Sequence, residues 1–157
     1  MPSILLVCTA NICRSPMAEA ILKRLVASRP DADQWHIESS GTWANFGIEP
    51  AALSQFVMHT MGMDISSHLS QPVTMELLQN FDLILTMEAN HKEGMIYHFS
   101  QFADRIFMLS EMVGIEEDVS DPMGGELVDF QATAREIEHY LSDGLDRINQ
   151  IALMNQE

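Results

Sequence analysis

Three residues near the start of the chain could act together: Cys8, then Arg14 six positions later, and Ser15 beside it. A cysteine thiolate is a strong nucleophile, and the planar guanidinium of arginine can hold two oxygens of a phosphate group at once. The serine hydroxyl could donate a hydrogen bond to the thiolate. The residue types and their spacing therefore predict attack by Cys8 on an anionic group that Arg14 holds in place.

The segments on either side are suited to positioning this loop. Residues 3–7 are a short apolar run typical of a buried parallel strand, and Ser15-Pro16 predicts the start of a helix with Ser15 as its N-cap. Open α/β sheets bind ligands at the carboxyl ends of their strands, and backbone N–H groups at a helix start form a cradle for anions. Asn11 tolerates a left-handed backbone and could stabilise the loop through hydrogen bonds. The predicted phosphate-binding loop comprises Cys8, Thr9, Ala10, Asn11, Ile12, Cys13, Arg14 and Ser15.

Strand and helix signals alternate along the rest of the chain. Further strands are predicted at residues 35–39, 82–87 and 105–109, and helical segments between Pro16 and Pro30 and at 51–61, 75–79, 90–99 and 130–151. This alternation predicts an α/β fold with a parallel sheet. A chain of 157 residues that is 46% apolar suits a single domain spanning residues 1–157. A domain of this size buries roughly 68–70% of the surface that its unfolded chain exposes.

Charge and apolar runs limit the partners and the location. The chain carries 8 basic and 23 acidic side chains, a formal net charge of −15, which argues against nucleic acid or anionic lipid as the main ligand. Residues 1–30 nevertheless carry four basic residues and one acidic residue, a net charge of +3, so an anionic group is the expected ligand there. No apolar run is long enough for membrane insertion, and the first residues lack the basic start of a signal peptide. We therefore expect a cytoplasmic protein.

The cysteines and histidines indicate neither a disulfide framework nor a metal. Cys8 and Cys13 are the only two cysteines, so there is no second pair for a zinc site. The histidines other than His68 show no ligand spacing, and we expect no metal and no other cofactor. Cys13 could be a small core residue or a redox partner of Cys8, and the shared tight loop favours the second role.

Several further motifs extend the pattern beyond the loop. They are Ser40-Gly41-Thr42, the stretches 64–68 and 82–87, and finally Asp121-Pro122. Together with residues 7–19, they make the sequence resemble the low-molecular-weight protein tyrosine phosphatases over nearly its whole length. The resemblance implies a four-stranded parallel sheet flanked by helices, and a two-step hydrolysis of phosphomonoesters through a phosphocysteine.

The resemblance also implies roles for particular residues. Cys8 would be the nucleophile, Arg14 the phosphate clamp, and Asp121 the general acid that protonates the leaving oxygen. A proton donor is chemically necessary when an alkoxide or phenolate leaves, and general acid catalysis contributes about 10²–10⁴-fold. From the residues alone, Asp118 is as good a candidate for the acid as Asp121. Ser15 would stabilise the thiolate, and Asn11, Ser40 and His68 would form the network that shapes the loop.

The mouth of the pocket departs from the family pattern. Most eukaryotic and many bacterial members have tyrosines after the Asp-Pro, where this chain has Met123 and two glycines. The wall that contacts the substrate would then be formed by Ile12 and Met123, with Trp43 and Phe46 as candidates for its aromatic part. Trp43 and Phe46 could equally be ordinary half-buried anchors of their loop.

Other functions of the same fold have to be weighed. Bacterial protein arginine phosphatases also have a hydrophobic residue and Gly-Gly after the Asp-Pro. They typically carry Thr at the position of Ile12, whereas the apolar side chain of Ile12 suits a phenyl ring. Thioredoxin-coupled arsenate reductases need further cysteines, and none follows Cys13. A phosphoanion-binding or redox-sensing module without turnover would not need the acid Asp121.

The expected activity sets the expected partners. The sequence predicts a protein-tyrosine-phosphatase that acts on phosphotyrosine proteins and on aryl phosphates. The resemblance suggests bacterial tyrosine kinases of exopolysaccharide export as one possible substrate. We expect the protein to be a monomer or a weak dimer.

Overall fold

The computed structural model describes residues 1–156 and contains one parallel sheet. Its strands are β1 (Ser3–Cys8), β2 (His36–Gly41), β3 (Leu83–Thr86) and β4 (Ile106–Met108), in the spatial order β2-β1-β3-β4. Every neighbouring pair of strands runs parallel. The predicted four-stranded parallel α/β fold is therefore confirmed.

Helices flank this sheet and complete the fold. The α-helices of the described residues are α1 (Arg14–Val26), α2 (Ala52–Thr60), α3 (Met75–Leu78), α4 (Ala89–His98), α5 (Leu127–Asp143) and α6 (Leu145–Met154). Short 3₁₀ turns occupy Ala32–Gln34, Ser100–Arg105 and Leu109–Val113. The predicted ends of the four strands and of α2, α3 and α4 differ from the observed ends by at most two residues. Within residues 1–156, no helix has both the length and the apolar character that a membrane span requires.

Strand β1 is central to the sheet, and all six of its residues are buried. Successive side chains of a strand point to opposite faces, so Ile4, Leu6 and Cys8 pack with α1 and α5. Leu5 and Val7 pack on the other face, in a smaller apolar layer that includes α4. Burial on both faces explains why this segment is continuously apolar. Cys8 ends the strand at the carboxyl edge of the sheet.

The start of α1 differs from the prediction. The helix begins at Arg14, and Cys13 occupies the N-cap position without a side-chain hydrogen bond to the helix, so Ser15 is not the N-cap. The Ser15 hydroxyl instead lies 2.9 Å from the sulfur of Cys8. Pro16 still falls in the first helical turn. N–H groups there have no partner within the helix, so a proline costs no hydrogen bond.

The predicted C-terminal helix is also different, because two helices meet at Gly144. Glycine is a weak helix former, and close packing excludes a side chain at this position. A Cβ atom at position 144 would lie 2.6 Å from the Cβ of Met112 and 2.7 Å from the carbonyl oxygen of Tyr140. The apolar spacing along residues 130–151 predicts one long helix, so the break at Gly144 corrects that prediction.

We expect Gly144→Ala to destabilise the protein by about 1–3 kcal/mol, because the added methyl group overpacks the contact with Met112. Gly94→Ala is the matched control, since a Cβ there would meet no described atom within 4 Å beyond its chain neighbours and the backbone of its own helix. Gly94→Ala should raise the free energy of unfolding by up to about 1 kcal/mol through helix propensity. Urea unfolding measures both, and equal effects of the two variants would contradict the packing explanation.

Candidate active site

The loop between β1 and α1 is attached to the segment that follows β2. The backbone N–H groups of Thr42 and Trp43 donate to the carbonyls of Cys8 and Thr9, each at 2.9 Å. Further along, the N–H of Ala51 donates to the carbonyl of Ile12 at 2.8 Å. Residues 42–51 are therefore bonded to the loop at both of their ends.

Gly41 permits this close approach. A Cβ atom at position 41 would lie 2.3 Å from the carbonyl oxygen of Thr9 and 3.0 Å from the backbone nitrogen of Asn11. Both neighbours are backbone atoms of the loop, so a side chain at position 41 could enter only if the loop moved. A glycine is required here by space rather than by its own backbone angles.

Asn11 is the centre of a buried hydrogen-bond network. Its backbone is left-handed, with φ of 60°, as its residue type allows. The amide nitrogen of its side chain donates to the hydroxyls of Ser15 at 2.8 Å and Ser39 at 3.0 Å. Its side-chain oxygen accepts from the N–H of Gln71 at 3.0 Å, and its backbone carbonyl lies 2.9 Å from Nε2 of His68. The structure thus brings Asn11 and His68 together around the loop.

The two serines of β2 contribute differently from what the sequence predicts. The sequence predicts that Ser40 supports the loop. Within residues 1–156, however, its buried hydroxyl has no hydrogen-bond partner. Only the backbone carbonyl of Ser40 approaches the loop, at 3.4 Å from Oγ of Ser15. Ser39 supplies the hydroxyl instead, because alternate side chains of a strand point in opposite directions. It accepts from Asn11 and donates to Oε1 of Glu19 at 2.7 Å. Ser39 and Glu19 are thus supporting residues that the sequence analysis missed.

The sulfur of Cys8 has one defined polar neighbour. Its Sγ lies 2.9 Å from Oγ of Ser15, and both residues are buried. Because the Ser15 oxygen already accepts from Asn11, its own proton is free to point to the sulfur or to the more distant carbonyl of Ser40. The arrangement therefore allows Ser15 to donate a hydrogen bond to a thiolate.

Arg14 is only 1% exposed, and its guanidinium is held at one end. Nη1 donates to a carboxylate oxygen of Glu88 at 2.5 Å and to the carbonyl of Val119 at 2.7 Å. Nη2 lies 3.5 Å from the hydroxyl of Thr9 and 3.7 Å from Oδ2 of Asp121. The sequence analysis did not select Glu88, although an acidic residue just after a buried strand could have indicated it.

A cavity of about 80 Å³ lies over the sulfur of Cys8. Its walls are formed by Cys8, Thr9, Ala10, Ile12, Cys13, Arg14, Asp121 and Met123. A water molecule occupies about 30 Å³ of the liquid, so the cavity suits a small group of a few heavy atoms. The structure therefore brings the predicted nucleophile, clamp and acid to one place, together with the apolar side chains of Ile12 and Met123.

The predicted aromatic wall is not part of this cavity. Trp43 and Phe46 are 85% and 75% exposed, so they are neither the wall of the cavity nor half-buried anchors. Their loop turns outward because it is bonded to Ser70, which accepts from the N–H of Gly47 and donates its own N–H to the carbonyl of Ile48, both at 2.9 Å. Trp43 borders a separate groove beside Thr9.

Geometry distinguishes the two candidate acids. Oδ1 of Asp118 accepts a hydrogen bond of 2.8 Å from the N–H of Ala89 at the start of α4, and Asp118 does not line the cavity. Asp121 does line it, and its Oδ1 accepts from the N–H of Met123 at 3.0 Å while Oδ2 faces Arg14. Only Asp121 is therefore placed to exchange a proton with a group in the cavity.

Cys13 is buried, and burial raises the pKa of its thiol to about 12, with the negative charge of Asp121 acting in the same direction. Cys13 therefore stays protonated near neutral pH, unlike a nucleophile. It packs in the larger apolar layer and also lines the cavity with Cys8. Its redox role stays a prediction.

His91 links the loop to α4, which the sequence did not predict. Its Nδ1 accepts from the N–H of Glu88 at 3.2 Å, so the proton of the neutral ring is on Nε2, which donates to the Thr9 hydroxyl at 2.8 Å. Burial lowers the pKa of His91, which favours this neutral form. Within residues 1–156 there is no cluster of three or more side chains able to hold a metal ion.

The roles of the two serines can be tested by stability. Ser39→Ala should lower the free energy of unfolding by about 1–3 kcal/mol, because it removes the bonds to Asn11 and to the Glu19 carboxylate. Ser40→Ala should leave the free energy of unfolding within about 0.5 kcal/mol of the wild-type value, because the Ser40 hydroxyl has no hydrogen-bond partner within residues 1–156. Urea unfolding of both variants checks this, and a larger loss at position 40 would show that Ser40 is the supporting residue.

Comparison with known proteins identifies relatives over nearly the whole chain. The family model described as low molecular weight phosphotyrosine protein phosphatase matches residues 3–152. A protein-arginine-phosphatase of Bacillus subtilis (strain 168) is 36% identical over 141 residues, which cover 88% of this chain and 91% of the relative.

Solved structures share the fold closely. The low molecular weight protein tyrosine phosphatase from T. tengcongensis has a TM-score of 0.88 and 33% identity, covering 94% of this chain and 99% of its own. A cysteine-to-serine mutant of the YwlE arginine phosphatase, with its active-site serine phosphorylated, has a TM-score of 0.86 and 29% identity, covering 94% and 95%. With the family model spanning all four strands and the loop, this chain is an enzyme of the low molecular weight phosphotyrosine protein phosphatase family.

Proposed function

We propose that the enzyme, as one phosphatase domain, hydrolyses phosphotyrosine in proteins through a phosphocysteine on Cys8. Arg14 holds the phosphate, and Asp121 is the general acid and base. The observation that carries the proposal is the single small cavity that these three side chains line together.

In the first step, the thiolate of Cys8 attacks phosphorus, so that an S–P bond forms and the P–O bond to the tyrosine breaks. Asp121 donates its proton to the leaving phenolic oxygen. The hydrogen bond from Ser15 stabilises the thiolate before attack, and Arg14 neutralises charge on the phosphate oxygens during it. Nη1 of Arg14 is already bound to Glu88 and Val119, and these two bonds hold the guanidinium beside the cavity.

In the second step, water attacks the phosphocysteine. The ionised Asp121 takes a proton from the water, a new O–P bond forms, and the S–P bond breaks to return the Cys8 thiolate and inorganic phosphate. The same carboxyl group therefore acts first as acid and then as base. In the YwlE mutant, a serine replaces the active-site cysteine and is phosphorylated. This supports a phosphoenzyme intermediate on the nucleophile.

The residues at the mouth of the cavity favour an aromatic substrate. Ile12 and Met123 present apolar surface on the way to Cys8, which suits the ring of phosphotyrosine. A protein phosphorylated on tyrosine is therefore the proposed substrate, and a tyrosine kinase of exopolysaccharide export is one expected example. Phosphoarginine is the second candidate, because the relative at 36% identity is a protein-arginine-phosphatase.

Replacing the acid should affect catalysis much more than replacing its neighbour. Asp121→Ala should lower kcat by about 10²–10⁴-fold on a phosphate ester with a poor leaving group, and less on p-nitrophenyl phosphate, whose leaving group needs little protonation. Asp118→Ala, the matched control, removes only the bond to Ala89 and should change kcat far less. Steady-state kinetics with both substrates checks this, and equal losses in the two variants would contradict the assignment of Asp121.

The substrate class can be decided by direct comparison. Without added metal and in the presence of a chelator, the enzyme should turn over p-nitrophenyl phosphate, because Arg14 and the loop N–H groups supply the charge stabilisation. The kcat/KM for a phosphotyrosine peptide should exceed that for the matched phosphoarginine peptide. Ile12→Thr should reduce this preference, because it replaces apolar surface beside the substrate stem with a hydroxyl. A wild-type preference for phosphoarginine would make the second candidate correct.

A further inference from the structure

A groove of about 650 Å³ adjoins the cavity over Cys8. Thr9 lines both, so the two separate depressions are neighbours at this residue. The indole of Trp43 borders the groove, and Val73, Met95 and Phe99 form its apolar surface. The groove is within the usual size range of ligand pockets, whereas the cavity over Cys8 is much smaller. A substrate bound in the cavity therefore has a larger depression next to it, lined by apolar and by polar residues.

The groove lacks the acidic side chains that dominate this protein, and its titratable lining residues are two histidines, His91 and His98. None of the described residues that line it is Asp, Glu, Lys or Arg, although the chain carries a net charge of −15. Two other depressions of comparable size are lined by charged side chains, one including Lys23 and Asp64 and the other Arg135 and Glu138. This charge pattern fits an apolar group bound beside the phosphate better than a second anion or a cation.

Trp43 is placed at the groove by the backbone rather than by packing of its ring. Its N–H donates to the carbonyl of Thr9, and the ring is 85% exposed. The other tryptophan, Trp35, is 9% exposed, with the guanidinium of Arg29 over its ring. Covering a large apolar ring that lies in water beside a binding site lowers the free energy of the complex, so Trp43 can stabilise a bound apolar group.

Gly94 leaves the opposite side of the groove open. It lies within α4, where glycine costs about 1 kcal/mol relative to alanine. Its φ is not in the left-handed region, and a Cβ at this position would have no described atom within 4 Å. Neither backbone conformation nor packing therefore requires glycine here. What the missing side chain does is keep the groove free.

We propose that this groove binds an apolar or aromatic side chain of the substrate protein, within three residues of the phosphorylated residue. The proposal rests on the function proposed above. An extended peptide advances about 3.3 Å per residue, so a side chain near the phosphotyrosine reaches a groove that shares Thr9 with the phosphate cavity. The groove would thus select the sequence around the phosphotyrosine, while Cys8 and Arg14 act on the phosphate.

The kinetic test uses the full-length enzyme and a set of phosphotyrosine peptides. Each peptide differs from the others at a single position, one of the three before or the three after the phosphotyrosine. Leucine or phenylalanine at the preferred position should raise kcat/KM about 10-fold over serine at that position. In Trp43→Ala and in Gly94→Leu, the kcat/KM of the apolar peptide divided by that of the serine peptide should fall close to one. Phe46→Ala is the matched control, because Phe46 is a comparably exposed aromatic residue of the same loop that does not line the groove. It should preserve the ratio.

A binding test separates the groove from the reaction. In the Cys8→Ser protein, the apolar phosphopeptide should change the tryptophan emission and the serine peptide should not, and the change should be lost in Cys8→Ser/Trp43→Phe. Turnover of p-nitrophenyl phosphate and phosphotyrosine by the wild type tests the proposed function by itself. If those substrates react but the peptide ratio is near one at every position, the groove proposal is wrong and the function stands. If phosphotyrosine does not react but the emission change occurs, only the proposed function is wrong.

Discussion

The buried positive charge of Arg14 is the constraint on which the arrangement of the site depends. A guanidinium that is 1% exposed costs several kcal/mol unless charged and polar groups surround it. Glu88 and the carbonyl of Val119 meet this requirement at 2.5 and 2.7 Å. The N–H of Val119 also donates to the carbonyl of Met87, so the chain is fixed on both sides of this residue. Asp121 follows two positions later, where its Oδ2 lies 3.7 Å from Nη2 of Arg14 at the cavity.

The loop itself is shaped largely from outside. Asn11 bonds to residues 28, 57 and 60 positions away in the sequence, namely Ser39, His68 and Gln71. These bonds form as the protein folds, so the backbone around Asn11 is fixed before any phosphate arrives. In such a preorganised site, little free energy is spent on reorientation during the reaction.

The parts of the molecule that could be predicted are those in which neighbouring residues determine the structure. The continuous burial of β1 and the left-handed backbone of Asn11 follow from local residue types, and with them the strand, the loop and the helix. The position of Glu88 just after a buried strand is a local signal, but its contact with Arg14 and the role of His91 depend on β3 pairing beside β1, which brings the start of α4 to the loop. The requirement for glycine at position 144 depends on contact with another segment. The outward position of Trp43 likewise depends on bonds between two loops.

The central position of β1 separates the site into parts of different mobility. A fully buried strand paired on both sides opens only when much of the domain unfolds, so its amide hydrogens exchange slowly with solvent. The segment that carries Asp121 is exposed and continues into Gly124, whose φ of 83° lies in the left-handed region. The exposed residues around Asp121 belong to no strand or helix, so their amide hydrogens should exchange through local fluctuations, faster than those of β1. The nucleophile and the acid of one site are thus carried by parts of the molecule that differ in how readily their backbone opens.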